Sequence, residues 1–102
     1  MRVYIASPYT LGDVEANVAK AIDAATELLD AGFVPYCPLL CHFWHMQRPR
    51  PYETWMALDM AWLEVCDCVL RLPGESAGAD REVARAAELG KPVYYRASEI
   101  PK

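Results

Sequence analysis

Leu72-Pro73-Gly74-Glu75-Ser76-Ala77-Gly78-Ala79-Asp80-Arg81-Glu82 connects a short apolar run to a helical pattern that ends at Gly90. The order predicts a strand, a glycine-containing loop and a helix. In an open α/β sheet, ligands bind at the loop after a strand, beside the positive N-terminal end of the next helix. Glu82 lies one turn into that helix. Its carboxylate can face a ligand and attack an electrophilic carbon, or it can simply favour the helix N-terminus through the dipole.

Strands and helices alternate on both sides of this segment. Val18, Ala21, Leu28 and their apolar neighbours recur at helical spacing, after Asp13 as a good N-cap. The predicted strands cover residues 2–6, 33–36, 67–72 and 92–95, and the predicted helices cover residues 14–31, 52–65 and 78–89.

This βαβαβαβ order predicts an α/β fold in a single domain over residues 1–102. The expected architecture is a Rossmann-like or flavodoxin-like three-layer sandwich, in which a mostly parallel sheet of at least four strands has helices on both faces. Residues 37–51 are rich in proline and aromatic side chains, and we expect them to form a long functional loop.

Composition excludes several classes of protein. The chain has 102 residues, of which 54% are hydrophobic and 24% charged, so it folds rather than remaining disordered. Its net charge of −4 does not favour non-specific binding to nucleic acid polymers. No apolar stretch approaches the roughly 20 residues that span a bilayer. We therefore expect a cytoplasmic protein without a membrane partner. We also expect a homodimer or larger homo-oligomer, because a small apolar domain buries exposed apolar surface at a subunit interface.

Four cysteines raise the question of a disulfide or a metal site. Cys66 and Cys68 flank one residue at the start of a predicted strand, where their side chains point the same way, and we expect them to be buried and reduced. A denser group of Cys and His residues is interrupted by Pro38 and two leucines, which disfavours a zinc site. No cofactor or metal is therefore expected.

Polar residues gather where the predicted strands end. Ser7 and Tyr9 follow the first strand, and Ser76 and Gly78 follow the third. Asp59 is a lone carboxylate on a mostly apolar helix stripe. Burying it is costly unless it is paired or functional, although a surface acid is an equal alternative.

Three segments of the chain resemble the nucleoside 2-deoxyribosyltransferase superfamily, which includes the 2'-deoxynucleoside 5'-monophosphate N-glycosidases. The similarity looks closest to a small branch found in bacteria and phages, and it extends over nearly the whole chain. The segments are Val3-Tyr4-Ile5-Ala6-Ser7-Pro8-Tyr9, Asp59-Met60-Ala61-Trp62-Leu63-Glu64-Val65-Cys66-Asp67, and the stretch from Leu72 to Glu82.

The resemblance implies roles for individual residues. Glu82 matches the nucleophile that attacks C1' of the sugar, and Asp59 matches the acid near the leaving base. Tyr4 matches the tyrosine whose hydroxyl holds the nucleophile, while Ser76 and Gly78 match the loop that receives the 5' end of the substrate. The loop after the first strand lacks the basic residue of the phosphate-binding hydrolases, and the possible replacements are Arg48, Arg50 and Arg81.

The resemblance therefore implies an enzyme that cleaves the N-glycosidic bond of a 2'-deoxynucleoside or its 5'-monophosphate. The sugar would pass through a covalent intermediate to water or to a second base. The alternative is a catalytically silent nucleotide-binding module on the same fold. His42 and Trp44, with His45 and Trp55, are candidates for a wall against the base, although Trp44 and Phe43 can instead cover the sheet or a subunit interface.

Overall fold

Four short strands form one parallel sheet in the order β2-β1-β3-β4. The computed structural model describes residues 1–102. The strands are β1 (Arg2–Ala6), β2 (Val34–Tyr36), β3 (Cys68–Arg71) and β4 (Val93–Tyr94), and the helices are α1 (Val14–Asp30), α2 (Cys41–Gln47), α3 (Tyr52–Val65) and α4 (Ala77–Glu88). The predicted α/β class and the parallel four-stranded sheet are confirmed.

The sheet is covered on both faces, which gives the three expected layers. On one face, Val3 and Ile5 of β1 pack with Val18, Ala21 and other apolar residues of α1. On the other face, Tyr4 packs with Leu63 of α3 and with two small residues of α4. Consecutive residues of β1 thus enter opposite cores, which is why this strand is apolar throughout rather than alternating.

The strand order places a crevice between β1 and β3. The chain leaves β1 towards β2 on one side and returns to β3 on the other, so the loops after β1 and β3 diverge at the sheet's carboxyl edge. Such a reversal of strand order is where open α/β sheets bind ligands. Ser76 ends the β3–α4 loop and accepts a 3.0 Å hydrogen bond from the Ala79 N–H, which caps α4.

The predicted loop over residues 37–51 is wrong in part. Pro38–Leu40 forms a 3₁₀ turn, and Cys41–Gln47 forms α2. Pro38 stands at the first position of the turn, where a missing N–H costs nothing, and no glycine or proline interrupts α2. The prolines that favoured a loop flank α2 and do not interrupt it.

Other boundaries agree with the prediction to within two residues. A 3₁₀ turn at Ala97–Glu99, which was not predicted, follows β4. Cys66 and Cys68 are buried and free, as expected. None of the helices combines the length and the apolar character that a bilayer crossing requires.

The two loops at the carboxyl edge touch through Gly74. This residue has φ +118°, and a Cβ built on it would lie 2.8 Å from Cγ of Pro8. We expect Gly74→Ala to lower the free energy of unfolding by about 1–3 kcal/mol, from strained backbone and steric overlap together. The measurement is urea unfolding followed by circular dichroism.

Gly12→Ala is the matched control. Gly12 also has a positive φ, +82°, but a Cβ there meets no atom within 4 Å. Its substitution should show the backbone cost alone. Equal losses for the two variants would contradict a steric role for the Pro8–Gly74 contact.

Candidate active site

Tyr4 and Glu82 meet beneath the carboxyl edge of the sheet. Tyr4 is fully buried in the central strand, and Glu82 is 5% exposed in the first turns of α4. The Tyr4 hydroxyl donates a hydrogen bond to Oε2 of Glu82. The small residues Ala79 and Ala86 on the same face let α4 approach the sheet closely enough for this contact. The expected Tyr4–Glu82 pairing is therefore present.

Asp59 enters the same region from α3. It is 8% exposed and lies on the buried face of the helix with Met56 and Leu63. Its one side-chain partner is the Tyr36 hydroxyl, which donates to Oδ1 over 3.5 Å. Asp59 is thus a buried carboxyl whose burial only one long hydrogen bond offsets. Of the two sequence interpretations, a surface acid and a costly buried carboxyl, the structure agrees with the second.

Tyr36 was not singled out from the sequence. It ends β2 and pairs in register with Tyr4 on β1. Its ring stacks on Trp62 with centroids 5.4 Å apart, and it lies 5.6 Å from the Tyr4 ring. A tyrosine at the end of a strand next to β1 is a sequence signal for a side chain near the site. The sequence does not show which strand lies next to β1, and only the strand order identifies β2.

A cavity of about 340 Å³ opens over these acids, within the usual size range of small-molecule sites. The carboxyls of Asp59 and Glu82 both line it, while Tyr4 lies behind Glu82. Five of the six predicted substrate-binding residues also line it, namely Ser7, Tyr9, His42, Ser76 and Gly78.

Trp44 is the residue that the structure does not bring to the cavity. It is 55% exposed and packs edge-on against Trp55, with centroids 5.1 Å apart. Trp55 lines the cavity, and its indole N–H donates to Nδ1 of His45 over 2.8 Å. The wall expected from His42, Trp44, His45 and Trp55 therefore loses Trp44 and keeps the other three side chains at the cavity, because α2 turns Trp44 outward.

The loop end of the cavity has unused hydrogen-bonding capacity. Ser7 is 8% exposed, and its Oγ is buried without a hydrogen-bond partner. A buried hydroxyl in that state costs free energy until a ligand or water bonds it. Near it, Ser76 and Gly78 begin α4, whose first N–H groups have no acceptor within the helix. This end of the cavity suits an oxygen-rich or anionic group.

The three arginines named as replacements for the missing basic residue differ in position. Arg50 lines the cavity. Arg81 is paired with Glu53 at 3.0 Å and lies over the Tyr52 ring. Arg48 is exposed and donates to the Gln47 carbonyl.

Burial dominates the acid–base properties of the site. It raises the pKa of Asp59 to about 7, against which the Tyr36 hydrogen bond acts. It raises the pKa of Glu82 to about 8, with the Tyr4 hydrogen bond opposing it and the Asp59 charge adding to it. Such a pair titrates as a unit, so near neutrality it passes through a form with one proton and one charge.

The pKa of Glu82 is the higher of the two because the Asp59 charge adds to it, so these values alone leave the single proton on Glu82. The hydrogen bonds favour the reverse, with Glu82 as the charged member of the one-proton form. Glu82 accepts from Tyr4, and the charges of Arg71 and Arg81 also lower its pKa. Asp59 has only the long contact from Tyr36. The arrangement can therefore present a carboxylate and a carboxylic acid to one ligand.

No group of three His, Cys, Asp or Glu side chains lies close enough to hold a metal ion.

Residues 1–96 match a family described as "Domain of unknown function (DUF7768)". The chain belongs to this family. No curated protein matches it by sequence.

Two solved structures share the fold of this DUF7768 chain. One is the 2-deoxyribosyltransferase of the psychrotolerant bacterium Bacillus psychrosaccharolyticus, and the other is the CMP N-glycosidase BcmB of Clostridium botulinum. Each superposes with a TM-score of 0.62 at 21% identity over 91% of the chain. The match spans 69% of the first protein and 66% of the second, so this chain corresponds to about two thirds of either. The likeness confirms the expected α/β fold and shows that this chain shares it with both proteins.

The buried acids make a prediction for stability against pH. The pKa of Asp59 is about 7 in the folded protein against an ordinary 3.8, so the folded state keeps a proton that the unfolded chain has released. That contribution is complete below the ordinary value and is lost as the pH rises through about 7. We expect Asp59→Asn to gain stability relative to the wild type by about 2–3 kcal/mol between pH 5 and pH 8, at about 1.4 kcal/mol per pH unit.

Chemical unfolding at several pH values measures this gain. Glu82 titrates in both proteins, but the variant lacks the Asp59 charge that raises its pKa, so part of the gain comes from Glu82. Asp23→Asn removes an exposed carboxyl from α1 and is the control. A stability difference for Asp59→Asn that stays constant with pH would show that Asp59 is not a protonated buried acid.

Proposed function

We propose that this domain, over residues 1–102, cleaves the N-glycosidic bond of a 2'-deoxynucleoside or its 5'-monophosphate. The observation that carries the proposal is the buried constellation of Tyr4, Asp59 and Glu82 at one cavity, with the Tyr4 hydroxyl bonded to the Glu82 carboxylate. A module that only binds a nucleotide needs neither two buried acids nor the cost of burying them.

The chemistry divides between the two carboxyls. The Glu82 carboxylate attacks C1' of the sugar and forms a glycosyl ester while the bond from C1' to the base nitrogen breaks. The electron pair of that bond stays with the base, which takes a proton from the Asp59 carboxyl. Water or a second base then attacks C1', returns the carboxylate of Glu82, and delivers a proton to the site. The outcome is hydrolysis in the first case and transfer in the second.

Tyr4 positions the nucleophile. Its hydroxyl donates to one oxygen of Glu82, which leaves the other oxygen for attack. Burial, with the nearby charge of Glu82, raises the pKa of Tyr4 far above its ordinary value, so Tyr4 remains a donor throughout. It also stabilises the Glu82 carboxylate as leaving group when the ester is resolved.

The opposite end of the cavity accepts the 5' end of the substrate in this proposal. The unpartnered Ser7 hydroxyl and the start of α4 at Ser76 and Gly78 offer donors to a 5'-hydroxyl or a 5'-phosphate. Arg50 is the cationic side chain at the cavity that can add charge for a phosphate. Of the two solved structures that share this fold, one is a 2-deoxyribosyltransferase and the other a CMP N-glycosidase, so the fold is compatible with a deoxyribosyl group and with a 5'-monophosphate.

The homo-oligomer stays a prediction. Phe43, Trp44 and Trp62 are each about half exposed, and they offer aromatic surface to a second copy.

Replacing the nucleophile provides the first test of the proposal. We expect Glu82→Gln and Glu82→Ala to lose about 10³-fold or more of base release, because Glu82 forms the glycosyl ester in this mechanism and Asp59 serves as the acid. Base release is followed by chromatography on a panel of deoxynucleosides and their monophosphates, with and without a second free base. Circular dichroism checks that each variant folds.

Glu27→Gln is the control, since Glu27 is exposed on α1. Wild-type turnover by Glu82→Gln would remove Glu82 as the nucleophile. Binding without base release by the wild-type protein would identify the silent module instead.

The sugar gives a second test. An electron-withdrawing 2'-hydroxyl opposes the positive charge that develops at C1', so a deoxyribosyl oxocarbenium forms more easily. We therefore expect deoxynucleosides or their monophosphates to be cleaved at least about tenfold faster than the ribo forms with the same base, a difference of 1.4 kcal/mol in the barrier. Competition between the two sugars in one reaction measures the ratio. Equal or reversed rates would indicate a ribonucleotide substrate.

A further inference from the structure

Tyr9, His42 and Glu15 form a chain of hydrogen bonds that runs out of the cavity. The Tyr9 hydroxyl lies 2.6 Å from Nδ1 of His42. Nε2 of the same ring lies 3.3 Å from Oε1 of Glu15 on α1. Tyr9 and His42 line the cavity, whereas the Glu15 side chain is 76% exposed. The mechanism described above uses none of the three.

Glu15 fixes the direction of this chain. An ionised carboxylate only accepts hydrogen bonds, so Nε2 of a neutral His42 ring carries the proton. Nδ1 then has a lone pair, and the Tyr9 hydroxyl must donate to it. Burial raises the pKa of Tyr9, and Glu15 and Cys41 add to the effect, so the phenol keeps that proton. With its one hydrogen used, Tyr9 presents only oxygen lone pairs to a ligand.

The hydrogen bonds of a second histidine, His45, also determine which of its ring nitrogens carries the proton. Nδ1 of His45 accepts from the Trp55 indole N–H at 2.8 Å and from the Arg50 backbone N–H at 3.3 Å. Both partners are donors, so the proton of a neutral His45 ring is on Nε2. His45 lines the cavity, and it therefore offers an N–H donor.

Helix spacing relates the acceptor and the donor to Asp59, where the proposed function places the leaving base. His42 and His45 are three residues apart on α2, and residues at this spacing share a helix face. Trp55, which bonds His45, lies four residues before Asp59 on α3, so the indole and the acid also share a face. A base protonated by Asp59 is thus beside Trp55 and within the region that the two histidines border.

We propose that Tyr9 and His45 read the leaving base and select an amino group adjacent to an unprotonated ring nitrogen. The amino group donates to Tyr9, and the ring nitrogen accepts from His45. Cytosine and adenine have this edge, whereas uracil and hypoxanthine invert both positions by placing a carbonyl beside a ring N–H. The inference rests on the proposed function for its reaction, but the hydrogen-bond pattern applies to binding as well.

Matched pairs of substrates test the selection. Deoxycytidine is compared with deoxyuridine and deoxyadenosine with deoxyinosine, each also as the 5'-monophosphate. We expect the amino member of each pair to be cleaved about 100-fold faster, at about tenfold for each of the two mismatched hydrogen bonds. Calorimetric dissociation constants of the same compounds with Glu82→Gln should show the same order, and this measurement does not require turnover.

Two variants separate recognition from folding. Tyr9→Phe should lower the ratio of amino to oxo rates about tenfold, because the amino group loses its acceptor and the carbonyl loses a mismatched partner. In Glu15→Gln, an amide N–H can donate to Nε2 of His42. The ring proton can then be on Nδ1 and donate to the Tyr9 oxygen, which frees the Tyr9 hydroxyl to donate to a carbonyl of the base. The ratio of amino to oxo rates should therefore fall, although Glu15 is not in the cavity lining. Glu27→Gln should leave the ratio unchanged.

The outcomes distinguish the two proposals. Amino-selective binding to Glu82→Gln without base release by the wild-type protein supports the base-reading proposal and defeats the glycosidase. Cleavage of all compounds at equal rates, or preference for the oxo members, overturns the base-reading proposal and leaves the glycosidase intact. A ratio of amino to oxo rates that is unchanged in Tyr9→Phe, or a failure of Glu82→Gln to bind any compound, also overturns the base-reading proposal.

Discussion

The hydrogen bond from Tyr4 to Glu82 joins the centre of the sheet to the first turns of α4, and it depends on several features of the fold. Tyr4 must stand in the middle strand, because only there can its ring be buried and its hydroxyl point to the helix layer. α4 must approach closely, which its small residues Ala79 and Ala86 permit. The Ser76 cap determines where the helix starts and therefore where Glu82 lies.

A site built in this way opposes stability. Burying the Asp59 and Glu82 carboxyls raises the pKa values of both, to about 7 and about 8, and makes their ionisation costly. A core of apolar residues at these positions would cost less. The apolar layers on both faces of the sheet offset this cost, and they include the fully buried residues of β1.

The sequence was sufficient for the features that depend on local chemistry. The glycine-containing loop and the helical spacing after it placed the start of α4 at Gly78, one residue beyond its first residue Ala77, and so located Glu82. The sequence was insufficient wherever packing decides. Tyr36 acquires its contact with Asp59 only because β2 lies beside β1, and no local pattern fixes that order.

Residues 37–51 illustrate the same limit. Their prolines favoured a loop, yet seven consecutive residues between them form α2, and the face of this helix decides that Trp44 points outward while His45 points to the cavity. Helical spacing over two turns is too short to show which face is buried, so the outward position of Trp44 required the tertiary structure.

The contact between Pro8 and Gly74 has a mechanical consequence. These residues belong to the loops after β1 and β3, and they lie so close that no space for a Cβ is left between Gly74 and the Pro8 ring. Gly74 is two residues before the Ser76 cap, and the cap is in turn the anchor of α4. Pressure on the first loop by the 5' end of a substrate is therefore transmitted along the second loop to the helix that carries Glu82. Occupancy of one end of the cavity would thereby adjust the reach of the carboxylate at the other.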